Sequence, residues 1–140
     1  MIYLLDTDTL SHLHRGRAIV VRRYEAMPAG DVAISVVTRI EMLRARFANV
    51  LKAADAAQLA LAQQRLDETE HALRDWRVLG IEAIACSHFD RLRQVKSLRK
   101  IGRADLLIAC IALAHSATLV TRNTRDFSQV SHLRLENWVD

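Results

Sequence analysis

Five short apolar runs punctuate the chain, and longer helical patterns separate them. Few folds accept that alternation. The runs are IYLL (2–5), VAIS (32–35), VLGIEAIA (78–85), TLVT (118–121) and LRLEN (133–137), the last a candidate edge strand. Helical patterns are expected from about Asp8 or Thr9, from Val37 through TRIEMLRARFANVL, over about 53–76, over 86–98 and over 104–116. MPAGD (27–31) reads as a turn. Strands alternating with helices build an α/β sandwich around a mostly parallel sheet. In such sheets sites collect where strands end, at their C-terminal edge. The residues that follow each run therefore carry the functional question.

With one proline, Pro28, and four glycines, no linker divides the 140 residues, and one domain over 1–140 is expected. Apolar content of 51% against 26% charged residues excludes a disordered chain. No apolar run reaches the ~18 residues of a membrane span. Asp6 and Asp8 follow the first run too soon for a signal peptide, so a cytoplasmic protein is expected. Cys86 and Cys110 stand alone and read as small buried hydrophobes, not as a disulfide or a zinc site.

The charge is more informative. Twenty Lys and Arg face 16 Asp and Glu, and 17 of the 20 cations are arginine, the better fork for phosphate oxygens. They cluster at 14–23, 39–46, 91–103 and 121–125. One such cluster is an ordinary solvated helix face; four, two of them beside acids, point to an anionic polymer as partner.

Each acid has a structural use as well as a chemical one. Asp6 follows the first strand directly and could cap the next helix, although Asp8 or Thr9 could do that equally well. Glu41 lies one turn into the second long helix, where Thr38-x-x-Glu41 fits a capping box; Ser35 and Thr38 line that turn. Asp105 opens a strongly apolar helix after the tight IGR turn, and a buried charge there demands a partner. After the fourth strand come Asn123 and, three residues on, Asp126. Acids gathered at one sheet edge repel by a few kcal/mol at about 4 Å. Hard cations such as Mg²⁺ or Mn²⁺ relieve that repulsion and carry water for hydrolysis. Metal-assisted phosphodiester hydrolysis is the natural reading, with Arg103, Arg122 and Arg125 on the flanking phosphates.

Four blocks in series, YLLDTDTLSHL, VAISVVTRIEML, IGRADLLIACIALAHSATLVTRNTRDF and LRLENWVD, resemble a PIN-domain ribonuclease of the VapC type, the toxin of a bacterial toxin–antitoxin pair. The resemblance implies a three-layer α/β/α fold and a Mg²⁺- or Mn²⁺-dependent endoribonuclease acting on RNA. It also implies a homodimer and inhibition by a small cognate antitoxin. The family's first acid matches Asp6, its helix-borne glutamate Glu41, and its late helix-start acid Asp105. Asp8, Thr38 and Thr121 would support them, Asp8 by orienting Asp6 or a water. Two departures stand out. Asp8 replaces the asparagine of the common Asp-Thr-Asn, and Asn123 occupies the place of the usual fourth acid. Asn123 is the expected fourth residue because it reaches the sheet edge first; Asp126 is expected to pair with Arg122 or Arg125.

Two rival readings exist. LLDTDTL also resembles the phosphatase signature of the haloacid dehalogenase superfamily, with Asp6 as nucleophile, Asp8 as general acid, and Thr38 and Lys96 or Lys100 in support. No paired-acid motif follows the fourth strand, and the chain is short for that family. The other rival is a PIN-like module that binds RNA or a partner without cleaving. Elsewhere, His12 and His14 read as exposed, His115 as a helix-end cation, and Trp76 and Trp138 as packing residues. Leu43, Phe47, Leu51, Leu59 and Leu66 exceed what one buried face needs, so a partner surface is expected there.

Overall fold

A computed structural model describes residues 1–140. Five strands run β1 (Tyr3–Leu5), β2 (Val32–Ser35), β3 (Val78–Leu79), β4 (Thr118–Val120) and β5 (Arg134–Glu136). The helices are α1 (Thr7–His14), α2 (Ala18–Glu25), α3 (Val36–Lys52), α4 (Ala56–Arg74), α5 (Ala83–Leu92), α6 (Arg103–Ala114) and the short α7 (Thr124–Phe127). The sheet order is β3-β2-β1-β4-β5, and every pairing is parallel, so no antiparallel strand qualifies the expectation. From β1 the chain winds outward through β2 and β3, then crosses to the other side for β4 and β5. The reversal lies between β1 and β4, which is where an open α/β sheet leaves a crevice.

Alternation along each strand fills two layers. Leu4, Ala33 and Leu119 point to one face, where they meet Leu92, Leu106, Ile111 and Phe127 from α5, α6 and α7. Leu5, Ile34 and Val120 point to the other, against Leu10, Val20, Met42 and Leu73 from α1 to α4. Trp138 and Val139 close that second layer, and Trp138 Nε1 donates to Glu136 at 2.9 Å. The result is a three-layer α/β/α sandwich.

Several expectations need correction. The third strand stops at Leu79 instead of running to 85; Gly80 breaks it, and the apolar stretch from Ala83 folds as α5. Helix α2 occupies what read only as an arginine cluster. Asp6, not Asp8 or Thr9, caps α1, and Ser35, not Thr38, caps α3 by accepting the Thr38 N–H at 3.1 Å. The helix expected over 53–76 begins at Ala56, with Asp55 as its cap. Cys110 is buried but Cys86 is exposed. His12 is mostly covered, whereas His14 is exposed. Trp138 is fully buried, and Trp76 is half-buried beside Tyr24 and His14. No helix is long and apolar enough to cross a membrane.

Candidate active site

The crevice between β1 and β4 opens into a cavity of about 500 Å³, and Asp6, Asp8, Glu41, Asp105, Arg122 and Asn123 line it. Each arrives on a different structural cause. Asp6 leaves β1 with its backbone N–H on the Val120 carbonyl at 3.0 Å, which ties it to β4. Its Oδ1 accepts the Thr9 N–H at 2.8 Å, the capping bond of α1. The side chain is largely out of water, and burial raises its pKa above the ordinary 3.8 although hydroxyl and N–H donors from Thr121 and Thr9 oppose the rise. Capping and site membership, weighed as competitors in the sequence, are two uses of one carboxylate.

Glu41 sits in the second turn of α3 and is held from α1. Thr7 Oγ1 donates to Glu41 Oε1 at 2.6 Å and lies 3.0 Å from Thr38 Oγ1. A hydroxyl has one proton to give, so with Thr7 committed to the carboxylate, the Thr38 proton goes to Thr7. Ser35 Oγ stands 3.4 Å behind Thr38 and completes a buried hydroxyl series ending on Glu41. The capping box expected for Thr38 and Glu41 is absent, because Thr38 faces Thr7 instead. Sequence alone gives Thr7 no role; its one local signal is its place between two acids at a strand end.

Asp105 stands in the first turn of α6, half out of water. Its pKa is raised, first by burial and then by the charges of Asp6, Glu41 and Asp126. Asp105 thus feels the charge of three other carboxylates. Asn123 lines the cavity, and its Nδ2 donates to Asp126 Oδ2 at 3.2 Å. Its backbone N–H binds Thr121 Oγ1 at 3.0 Å. Asp126 therefore stands behind the amide, not paired with Arg122 or Arg125 as expected. Asp8 is exposed and meets His12 Nε2 at 3.5 Å; it reaches Asp6 only through its charge.

The three arginines expected at phosphates differ. Arg122 lines the cavity, but its fork is engaged by Asp140, with Nε–Oδ2 at 3.3 Å and Nη2–Oδ1 at 3.2 Å. Arg103 lies over the Phe89 ring, 5.0 Å from its centre. Arg125 is exposed.

No three acid, His or Cys side chains close into a metal-ligand group. The carboxylates instead ring an open cavity. As a donor set they suit a hard divalent cation, which accepts few protein oxygens and keeps waters for the rest. The repulsion that raises Asp105 is the charge such a cation would offset.

Comparison with known proteins follows the same lines. The PIN domain profile matches residues 3–133. The chain is 27% identical to Ribonuclease VapC1 of Haemophilus influenzae strain R2866, over 99% of this chain and 98% of that one. The structure of VapBC-1 from nontypeable Haemophilus influenzae superposes with a TM-score of 0.82 at 27% identity, covering all of both chains. A toxin–antitoxin complex from Klebsiella pneumoniae superposes with a TM-score of 0.68 at 27% identity, covering 94% of each. Matched over nearly its whole length, in a parallel sheet with acids at its switch point, the chain belongs to the PIN-domain family.

Proposed function

We propose that this chain is a VapC-type endoribonuclease toxin, dependent on Mg²⁺ or Mn²⁺ and restrained by a small cognate antitoxin. The observation that carries the reading is the convergence of Asp6, Glu41 and Asp105 on one cavity at the sheet's switch point. Its similarity to a protein named as a ribonuclease supports the same activity. Family membership displaces the phosphatase alternative.

Asp6 and Asp105 would hold the cation, with Glu41 reaching it directly or through water. The chemistry a divalent ion supplies in such a place is neutralisation of phosphodiester charge and acidification of a water. The chain's own residues do the rest. Thr7 fixes the Glu41 carboxylate, so its free oxygen can accept a proton from the attacking water. Burial raises the Asp6 pKa, and donors from Thr121 and Thr9 favour its anion against that rise. Asn123 offers an amide at the fourth position, with Asp126 holding it in place. Arg122, already oriented by Asp140, presents its remaining edge to a phosphate. Such a toxin acts in the cytoplasm, where its RNA is.

The antitoxin would cover the outer faces of α3 and α4, where Phe47, Leu51 and Leu59 are exposed while Leu43 and Leu66 are half-buried. Likeness to a toxin–antitoxin complex supports a partner of this kind, and the exposed apolar side chains are the reason for choosing this face. A homodimer is part of the same proposal, and sedimentation at micromolar concentration tests it. Incubation of the purified chain with bacterial RNA and Mn²⁺ tests the activity: cleavage is expected, and chelation should stop it. Asp6→Asn should abolish cleavage without loss of fold, because asparagine caps a helix as well as aspartate does. Cleavage by Asp6→Asn at the wild-type rate would remove the assignment, and RNA binding without any cleavage would favour the inactive module.

A further inference from the structure

Two more cavities continue from the carboxylate site, and they differ from it in charge. Ser11 lines both the acid cavity and a neighbouring one of about 310 Å³ with His14, Arg15 and Arg46. Arg46 and Asn49 then line a third, of about 320 Å³, with Lys52, Gln58 and Arg65. The shared residues make one groove. Its floor is a stripe of α3 (Met42, Ala45, Arg46, Asn49, Lys52) at the spacing of one helix face. Helix α1 walls one end and α4 the other.

No acid lines either of these two cavities. None of the chain's ion pairs involves Arg15, Arg46, Lys52 or Arg65. Arg46 donates through Nε to Thr69 at 3.0 Å, a neutral partner that positions the guanidinium without cancelling its charge. Partial desolvation of the His14 ring, and after it the Arg46 charge, lower the pKa of His14. Arg15 reaches only the His12 ring, at 3.5 Å. The contrast with Arg122 and Arg103, both engaged by the protein, is plain.

We infer that this groove is the substrate track: it holds the backbone of single-stranded RNA to one side of the scissile bond, through Arg15, Arg46, Lys52 and Arg65. The inference rests on the nuclease reading above and adds where the strand lies. Glu41 and Lys52 are eleven residues apart on α3, which is about 16 Å along the axis. A stacked strand advances about 3.4 Å per nucleotide, so the groove matches about five. Cavities of this size between helices accept nucleotide-scale units, and cationic grooves that follow a backbone are how single strands are held without base readout.

The test separates the track from the activity. In an Asp6→Asn background, Kd for a labelled single-stranded RNA is measured across a range of salt, with and without Arg15→Gln, Lys52→Gln and Arg65→Gln together. The slope of log Kd against log salt should fall by about 2, at about 0.7 per lost phosphate contact. Arg15→Lys with Arg65→Lys, which keeps charge, should retain the original slope and serves as the control for folding. An unchanged slope in the triple variant overturns the track; if the wild-type chain cleaves RNA in parallel, the nuclease reading survives that failure. A slope that falls while the wild type cleaves nothing supports the track and overturns the nuclease. Should the triple variant lose poly-glutamate binding but keep RNA binding, the groove belongs to an acidic protein segment and the inference fails.

Discussion

Helices α6 and α4 are both long, and they are stabilised in opposite ways. Five consecutive residues of α6, Ile108 to Ala112, are buried, so the helix is enclosed on every side. Of the 19 residues of α4 only Ala62, Thr69 and Leu73 are buried, while Leu59 and Leu61 are exposed. Core packing holds α6. The other helix relies on good helix formers, the Asp55 cap, packing on α3 and the pairs Gln63–Asp67 and Gln64–Glu68 four residues apart. An acid on the enclosed helix is costly and precisely aimed, which suits chemistry; apolar residues on the outlying helix cost little and can be covered later by a partner.

The largest effect that tests this contrast is on stability. Ile111→Ala in α6 should cost about 2–5 kcal/mol by denaturant unfolding, the usual penalty for a fully enclosed aliphatic side chain. Next is Asp105→Asn, which should lower RNA cleavage by about a hundredfold or more, on the scale of losing one electrostatic contact to a transition state. The same variant should unfold at a higher temperature than the wild type when both are metal-free. Asp6 and Asp105 have folded pKa values above the ordinary 3.8. Their cost is absent below that pH and is complete once pH passes the raised values. Thermal unfolding of the chelated wild type should therefore show a loss of stability as pH rises through that window, and Asp105→Asn should show less of it. A third, smaller effect is expected opposite α6: Asn123→Ala should reduce cleavage about tenfold, a hydrogen bond's worth. If Asp126→Ala instead loses as much activity as Asp6→Asn while Asn123→Ala stays active, Asp126 is the fourth group. Smallest is Leu59→Ala on α4, expected to change stability by less than about 0.5 kcal/mol. Equal costs for Leu59→Ala and Ile111→Ala would collapse the comparison.

Most strand positions are legible because short apolar runs alternate with longer helical patterns along the chain. The exception, 78–85, shows the weakness of the signal: a short apolar run serves strand or helix equally, and only Gly80 marks the break. Asp6, Glu41 and Asp105 could be found from their places at element starts. Their supports could not, since Thr7 meets Glu41 across 34 residues and no local pattern announces that. The partners of the arginines are equally non-local. Arg122 stands beside candidate acids in sequence, yet its partner is Asp140, beyond β5. Arg46 and Arg65 stand 19 residues apart in sequence, and only the packing of α3 on α4 brings them to one groove.

The central pairing of the sheet also sets a schedule. Tyr3 lies beside Thr118, so β1 finds β4 only after more than a hundred intervening residues exist. Asp6 is tied to Val120, and Asp105 is delivered by the helix just before β4. During synthesis the first acid therefore emerges early and waits, and the site closes only when almost the whole chain is available. On the nuclease reading proposed above, that ordering leaves the carboxylate cluster unassembled until β4 has emerged.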